Sequence, residues 1–496
     1  MKDSSVRIFY NQTFQVVFLL YSSLLILLGR QLDRGITNFD DAYYAQKAKE
    51  IFLSDSLWVV LWRNEPIFDN PPLPFWLTGL AYKVFGVSGY AAVFSSAIFG
   101  VLTIYLTYLF CNYLFKDNWI AFLAAFVLLF PGMFLDSSRR GMLDITLAFF
   151  VTAAMYCLVK GLEDKKFYLL YGAMTGCAVL TKSILGFFPI VIGIVFMFWY
   201  GGLKKLFDPI FMAGITVALV VGCSWHAVNW YMFGDEFIRS HFHQISLDRY
   251  GSLEGASLLY LFGYFKDMLK NYWPWFPVTV AGMILFARCA FREKDAHSMF
   301  LFLWVCIPFV IMSTSRNQTL RYLFMIFPAL AMITSHTIAG WLRETHKDKA
   351  LPWMFGVVMV TALVVNVTPA QVKVSLNYNS AEVRDLASLI HVNTPQKQRI
   401  NFYKLTLWNP THALMFYSDR IVGDPVESPE DLFGKIKKNP QGTWLSPVSA
   451  FRNLEKNFPG RLYLIYANKR FAYFTSQENR ESVVYDFSGI ELPVTR

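Results

Sequence analysis

Residues 209–230 read PIFMAGITVALVVGCSWHAVNW, a run without one Asp, Glu, Lys or Arg. As a helix rising 1.5 Å per residue, such a run crosses a hydrocarbon core of roughly 30 Å, for which about 20 apolar residues suffice. Outward from it the pattern repeats. Phe14–Leu32, Trp119–Leu135 and Ile184–Tyr200 approach or reach the same length, and short polar links bound each of them. That is the hydropathy signature of a polytopic helical membrane protein. Composition agrees: 55% of the 496 residues are hydrophobic, 18% aromatic and 16% charged, against roughly 25% charged in soluble domains. No water-soluble core would bury so much apolar surface. Spans are predicted near 14–32, 91–114, 118–135, 144–160, 168–181, 184–200, 209–230, 274–289, 297–313, 320–339 and 351–370, giving about 11–13 transmembrane helices.

The formal net charge of +10 is spread in a way that excludes nucleic acid as a partner, because no basic stripe is set out for a phosphate backbone. Lys116, Lys160, Lys165, Lys166, Lys204, Lys205, Arg288, Arg292, Lys294, Arg343, Lys347 and Lys349 fall in alternate short links, on the side of the N-terminus. The positive-inside rule makes that side cytoplasmic, and an odd number of spans then puts the C-terminal segment outside. Lys2 and Arg7 precede an apolar run with no small-residue cleavage site, so the first span reads as a retained anchor. Cys111, Cys157, Cys177, Cys223, Cys289 and Cys306 all lie in or beside spans without a CxxC, which implies neither a disulfide framework nor a zinc site.

Two domains are expected: a transmembrane one over 1–370, and an extracytoplasmic α/β domain over 371–496. In the second, Ser380–His391 and Pro429–Lys438 read as helices and Arg399–Lys404 and Arg461–Ala467 as strands. The long loops 33–90 and 231–273 also fall outside. Ala42–Leu53 and Leu73–Phe85 read as helices lying in the membrane interface, with Lys47, Lys49 and Lys83 among apolar residues.

Four groups of residues carry possible chemistry. Asp40 and Asp41 follow the first span; paired carboxylates there act as a general base or substrate-orienting group, or cap a helix start. Arg139, Arg140 and Asp144 stand at the outer mouth of a span, where arginines hold a phosphate or form an interfacial ion pair. Lys182, Arg249, Arg316 and Arg321 are outer-face cations, suited to a polyanionic substrate or to lipid headgroups. His241 and His243 diverge on a helix and have no evident third ligand, so they are read as non-metal.

In this order the segments resemble the bacterial branch of the GT-C membrane glycosyltransferases, which includes aminoarabinose transferases and protein O-mannosyltransferases. The likeness covers about residues 30 to 340. It rests on Asp40-Asp41-Ala42-Tyr43-Tyr44-Ala45 after the first span and Phe68-Asp69-Asn70-Pro71-Pro72-Leu73 with Trp76 in the first loop. It continues with Arg140 and Asp144, Leu180-Thr181-Lys182, the stretch from His241 to Arg249, Ser315-Arg316 and Leu320-Arg321-Tyr322. Two positions depart from the pattern. Asn70 stands where many members carry a lysine that touches the donor phosphate, and Tyr43 where aminoarabinose transferases have an arginine.

The resemblance implies a polyprenyl-phosphate sugar donor, an acceptor that is a lipid of lipid A type, a glycan or a protein, and a bacterial inner membrane with the site on its periplasmic face. It implies Asp40 as base or acceptor-orienting carboxylate, with Asp144 as second carboxylate holding Arg140 or the acceptor. Lys182, Arg140, Arg316 and Arg321 are expected to face the departing phosphate, in that order of weight. Asp41, Tyr44, Asp69, Asn70, Arg139 and Arg249 complete the expected substrate site. No cofactor is required; a divalent cation bridging Asp40 and phosphate stays open, without a dedicated oxygen cage. The alternative from another class is a transporter or flippase of a lipid-linked sugar, for which internal repeats and polar residues at mid-membrane are the usual marks.

Overall fold

The computed structural model describes residues 11–28, 36, 39–54, 57–129, 132–242, 261–315, 318–344, 380–406 and 411–485. Helices stand at ten of the predicted spans: Gln12–Leu28, Gly89–Phe115, Asn118–Leu129, Leu143–Lys160, Phe167–Lys182, Phe188–Leu206, Pro209–Phe233, Phe276–Arg288, Ala296–Ser313 and Phe327–Glu344. The expected span 351–370 lies outside the described residues. Among the described residues, six stretches are long and apolar enough to cross a membrane, one of them Phe167–Leu206. That stretch is two antiparallel helices, since Tyr171 donates to the Pro189 carbonyl at 2.7 Å and the Tyr168 hydroxyl meets the Met197 sulfur at 3.9 Å.

Small residues set how closely the helices approach. Phe167–Lys182 runs parallel to Pro209–Phe233, with Gly172 facing Gly214 and Gly176 facing Val221. A Cβ at Gly172 would sit 2.0 Å from the Gly214 carbonyl oxygen, and one at Gly176 2.6 Å from Val221. At Gly172 the neighbouring atoms are all backbone, which leaves nothing to yield. Gly172→Leu is therefore expected to cost at least the upper end of the about 1–3 kcal/mol of overpacked cores. The loss should appear as a collapsed yield of monodisperse protein in detergent, with a Gly340→Leu control, at a glycine with open space around it, expressing normally.

On one end of the helical body lies a second layer. The helices Phe39–Leu53 and Leu73–Phe85 pack together, with the Tyr82 hydroxyl donating to the Ala45 carbonyl at 3.0 Å. Between them β1 (Leu61–Trp62) and β2 (Glu65–Pro66) form a hairpin whose turn residues Arg63 and Asn64 both have positive φ. Glu50 offsets that strain by accepting from both turn amides, at 3.1 and 2.9 Å.

The C-terminal residues add a sheet of order β3-β4-β6-β5, formed by Asn401–Phe402, Trp444–Pro447, Phe471–Ser476 and Leu462–Ala467. β3 pairs parallel with β4, and the other pairs are antiparallel. Its helix Thr411–Ser418 shares one hydrophobic core with Phe39–Leu53: Ala45, Ala48 and Ile51 join Leu414, Phe416 and Tyr473. Lys49 meets Asp419 at 2.6 Å, and Arg63 meets Asp424 at 2.7 Å. The C-terminal part thus supports, from behind, the helix whose first turn carries Asp40.

Burial by itself would raise the Asp419 carboxyl, but the charge and hydrogen bond of Lys49 outweigh it and hold Asp419 below its ordinary value. A depressed carboxylate contributes stability above its unfolded value and loses it as pH falls through the folded one. Asp419→Asn leaves Lys49 buried beside a neutral amide, with an expected cost of about 1–3 kcal/mol. The variant should be cut faster by protease in residues 380–485 at neutral pH. In the wild type that susceptibility should appear only when the pH drops below the ordinary carboxylate range.

Candidate active site

Asp40 and Asp41 occupy the first turn of the helix Phe39–Leu53, where carboxylates complement the helix dipole. The other parts come from the starts of membrane helices. The dipeptide Phe-Pro recurs at 188–189, 276–277 and 327–328, each time opening a helix. Proline lacks an N–H, so it suits a first turn and prevents an upstream helix from running through. Two of these breaks are 3₁₀ turns: Ser183–Phe187, directly after Lys182, and Leu320–Ile326, which carries Arg321 and Tyr322.

A cavity of about 300 Å³ opens where these elements meet, lined by Asp40, Asp41, Asp136, Arg140, Thr319 and Arg321 among others. Arg321 donates to Asp40 at 2.6 Å, across 281 residues of sequence. Arg140 meets Asp136 at 3.0 Å. The two arginines keep 26% and 27% of their side-chain surface open. Behind them Lys182 donates to Asp144 at 2.5 Å, with exposures of 7% and 2%. The Lys182 ammonium also lies 4.5 Å from the Tyr322 ring centre. Asp144 acts electrostatically on Arg321 as well.

Two sequence expectations change here. Asp144 was expected to hold Arg140 or the acceptor; in the structure it pairs with Lys182, while Arg140 follows Asp136 by four residues and meets that carboxylate locally. Lys182 was expected to lead the cations facing the substrate. It lies one layer deeper, while Arg140 and Arg321 line the cavity. Asp41 is buried, with its carboxylate 2.7 Å from the Ala42 amide. Tyr44 packs 6.3 Å from Phe75, between ring centres, and acts on Arg321. Arg139 is buried beside Arg140. Arg249, Arg316 and His243 lie outside the described residues.

Asp69 is the centre of a second group. Both its oxygens take the Lys47 ammonium, at 2.5 and 2.6 Å, and the Tyr43 hydroxyl donates to it at 2.9 Å. Lys47 is fully buried and lies 3.8 Å from the Tyr43 ring centre. Residue 70 is a buried asparagine, so the ammonium at this place comes from the neighbouring helix. The His412 ring, from the C-terminal part, lies tilted against two others, with centres 4.7 Å from Tyr43 and 5.6 Å from Trp62. Burial, with the Lys47 charge adding to it, pushes His412 down to about 3, so its ring is neutral. Sequence reasoning gave Lys47 to a membrane-facing surface and passed over His412; a lysine four residues after Tyr43, on one helix face, was the signal available.

A third group was also missed. Ser183 Oγ stands 3.0 Å from His226 Nε2 and 2.9 Å from His241 Nε2, and His241 Nδ1 contacts the Phe68 carbonyl. Among the described residues no three His, Cys, Asp or Glu side chains gather as a metal-holding set.

Comparison with known proteins gives the same picture. Residues 69–226 match the model of the dolichyl-phosphate-mannose-protein mannosyltransferase family. An uncharacterised protein of Aquifex aeolicus is 24% identical over 328 residues, covering 65% of this chain and 64% of that one. An undecaprenyl phosphate-alpha-4-amino-4-deoxy-L-arabinose arabinosyl transferase of Proteus mirabilis is 22% identical, covering 63% and 57%. The matches thus span about three fifths of those relatives' length. In structure, ArnT from Cupriavidus metallidurans superposes with a TM-score of 0.73 in its apo state and 0.72 bound to undecaprenyl phosphate. At 18% and 17% identity, each comparison covers 96% of this chain and 99% of that one. The Archaeoglobus fulgidus oligosaccharyltransferase follows at 0.61, with 14% identity over 89% and 70%. The fold is that of the GT-C membrane glycosyltransferases, as the sequence motifs implied.

Proposed function

On this GT-C fold of the aminoarabinose transferase type, we propose that the chain is a glycosyltransferase. It takes a sugar from a polyprenyl-phosphate donor and passes it to a lipid of lipid A type, a glycan or a protein. The observation that carries this reading is the cavity in which two open carboxylates, Asp40 and Asp136, stand beside two open cations, Arg140 and Arg321. A solvating surface has no need to hold Asp40 against a residue 281 positions away in the sequence. The names of the Proteus relative and of the undecaprenyl-phosphate complex support the donor class.

In this scheme the donor's isoprenoid chain stays in the bilayer and its phosphate enters between Arg140 and Arg321. An acceptor hydroxyl attacks the anomeric carbon while its proton passes to Asp40. The bond from that carbon to the phosphate oxygen breaks, and polyprenyl phosphate leaves with the electron pair. Charge grows on the phosphate as it departs, and fixed cations already aimed there lower the barrier. In-line attack inverts the anomeric carbon. The loop charges support a site on the extracytoplasmic face. Leu53, Leu57, Leu80, Val84 and Phe85, all exposed on the outer-loop segments, suit a bilayer interface.

The test is a membrane-based assay with radiolabelled polyprenyl-phosphate sugars, run with and without EDTA. Label should move to a lipid, glycan or protein acceptor. Because Arg140 and Arg321 supply the positive charge, EDTA is expected to leave the rate unchanged. No transfer from any donor, together with lipid translocation in reconstituted vesicles, would replace the transferase by a flippase.

A further inference from the structure

Ser183 holds a backbone conformation that serine avoids, with φ of 38° and ψ of −113°. Such a residue costs on the order of 1–3 kcal/mol and persists only where its surroundings over-determine it. Glycine would hold the same turn without that cost. What surrounds Ser183 is a directed chain of hydrogen bonds. A carbonyl oxygen only accepts, so His241 Nδ1 carries a proton toward Phe68, and in the neutral ring Nε2 then offers a lone pair. Ser183 then donates to His241 Nε2 and accepts from His226 Nε2–H. Every ring is fixed by packing: His241 lies parallel to Phe237 at 5.3 Å, and Trp225 stands edge-on to both histidines. Trp225 and Asn229 in turn donate to the Trp58 carbonyl at 2.9 and 3.2 Å.

The ends of this chain define its use. One neighbour of Ser183 is Lys182, paired with Asp144. One neighbour of Phe68 is Asp69, which holds Lys47 and Tyr43 of the helix whose first turn carries Asp40. We propose that Ser183, His226 and His241 are positioning residues that lock the Lys182–Asp144 half of the site in register with the Asp69–Asp40 half. The inference rests on the transferase reading for its kinetic consequence, though not for its structural one. Neither histidine touches the cavity. Their effect on transfer passes through the 182–183 turn and the Phe68 carbonyl, and a displacement of about 1 Å there costs on the order of 10²-fold in rate.

Ser183→Gly separates this role from simple space filling. Losing the hydroxyl while relieving the backbone should leave the thermal midpoint unchanged or higher. The turnover number should nevertheless fall by about 10- to 100-fold, with the donor KM held within about twofold. His241→Asn keeps an amide N–H for the Phe68 carbonyl but does not reach Ser183, and should match Ser183→Gly. The double variant should be no slower than either single one, since both cut one chain. A Ser183→Gly enzyme with full turnover, or losses that multiply in the double variant, would overturn the proposal. Amide exchange over residues 66–70 provides a reading independent of activity. It should accelerate in Ser183→Gly, and unchanged exchange there overturns the lock even if the wild type proves to transfer no sugar, an outcome that would count against the transferase alone.

Discussion

Asp40→Asn is expected to slow sugar transfer by about 10²- to 10⁴-fold, the range a positioned base contributes, with little change in thermal midpoint. The side chain keeps its shape, and asparagine still offers an oxygen to Arg321. The ion pair lost is more than a quarter exposed on both sides, and such pairs contribute about 0–1 kcal/mol. What disappears is the lone pair that takes the acceptor proton. In the structure Arg321 occupies that carboxylate at 2.6 Å. A donor phosphate competes for the same guanidinium, so donor arrival frees Asp40 for the acceptor. This predicts that donor binds before acceptor. Asp419→Asn is the control, because Asp419 pairs with Lys49 away from the cavity and should affect stability more than turnover. An Asp40→Asn enzyme within about threefold of wild type would remove Asp40 as base. It would point instead to an acceptor that arrives already ionised, such as a phosphate.

The order of the motifs carried most of the architecture. A span such as 209–230 announces itself because every face of the helix must be apolar, and the helices Leu73–Phe85 and Pro429–Lys438 coincide with their predicted limits. Partners were harder to read. Arg140 and Asp144 share a helix-like spacing, whereas Lys182 and Asp144 are 38 residues apart and meet only because two neighbouring spans pack along their length. The hairpin at 61–66 lacks the usual Asn-Gly; its Arg63-Asn64 turn is made tolerable by Glu50, eleven residues before the hairpin opens. Strand β6 escaped because it is buried along its whole length and shows no alternation. Lys47 looked like a surface lysine for the same reason in reverse: nothing in its neighbours says that Asp69 will arrive beside it.

The largest effect on folding is expected at Lys182. Lys182→Met leaves Asp144, 2% exposed, with no ammonium beside it. Removing one partner of a buried pair costs about 3–5 kcal/mol, so little folded protein should be recovered from membranes. The informative variant is the double one, Lys182→Met with Asp144→Leu. Replacing a buried pair by apolar residues of similar volume is often neutral, so the fold should return and the double-mutant cycle should give a coupling of several kcal/mol. Transfer should not return with it. Asp144 also acts on Arg321, and without it that guanidinium loses the inner anchor that aims it at the departing phosphate. A residual deficit of about tenfold, or about 1.4 kcal/mol of barrier, is expected in the refolded double variant. Full transfer in the double variant would make the pair a device of folding alone, and Arg140 with Arg321 would then carry the whole of the phosphate charge.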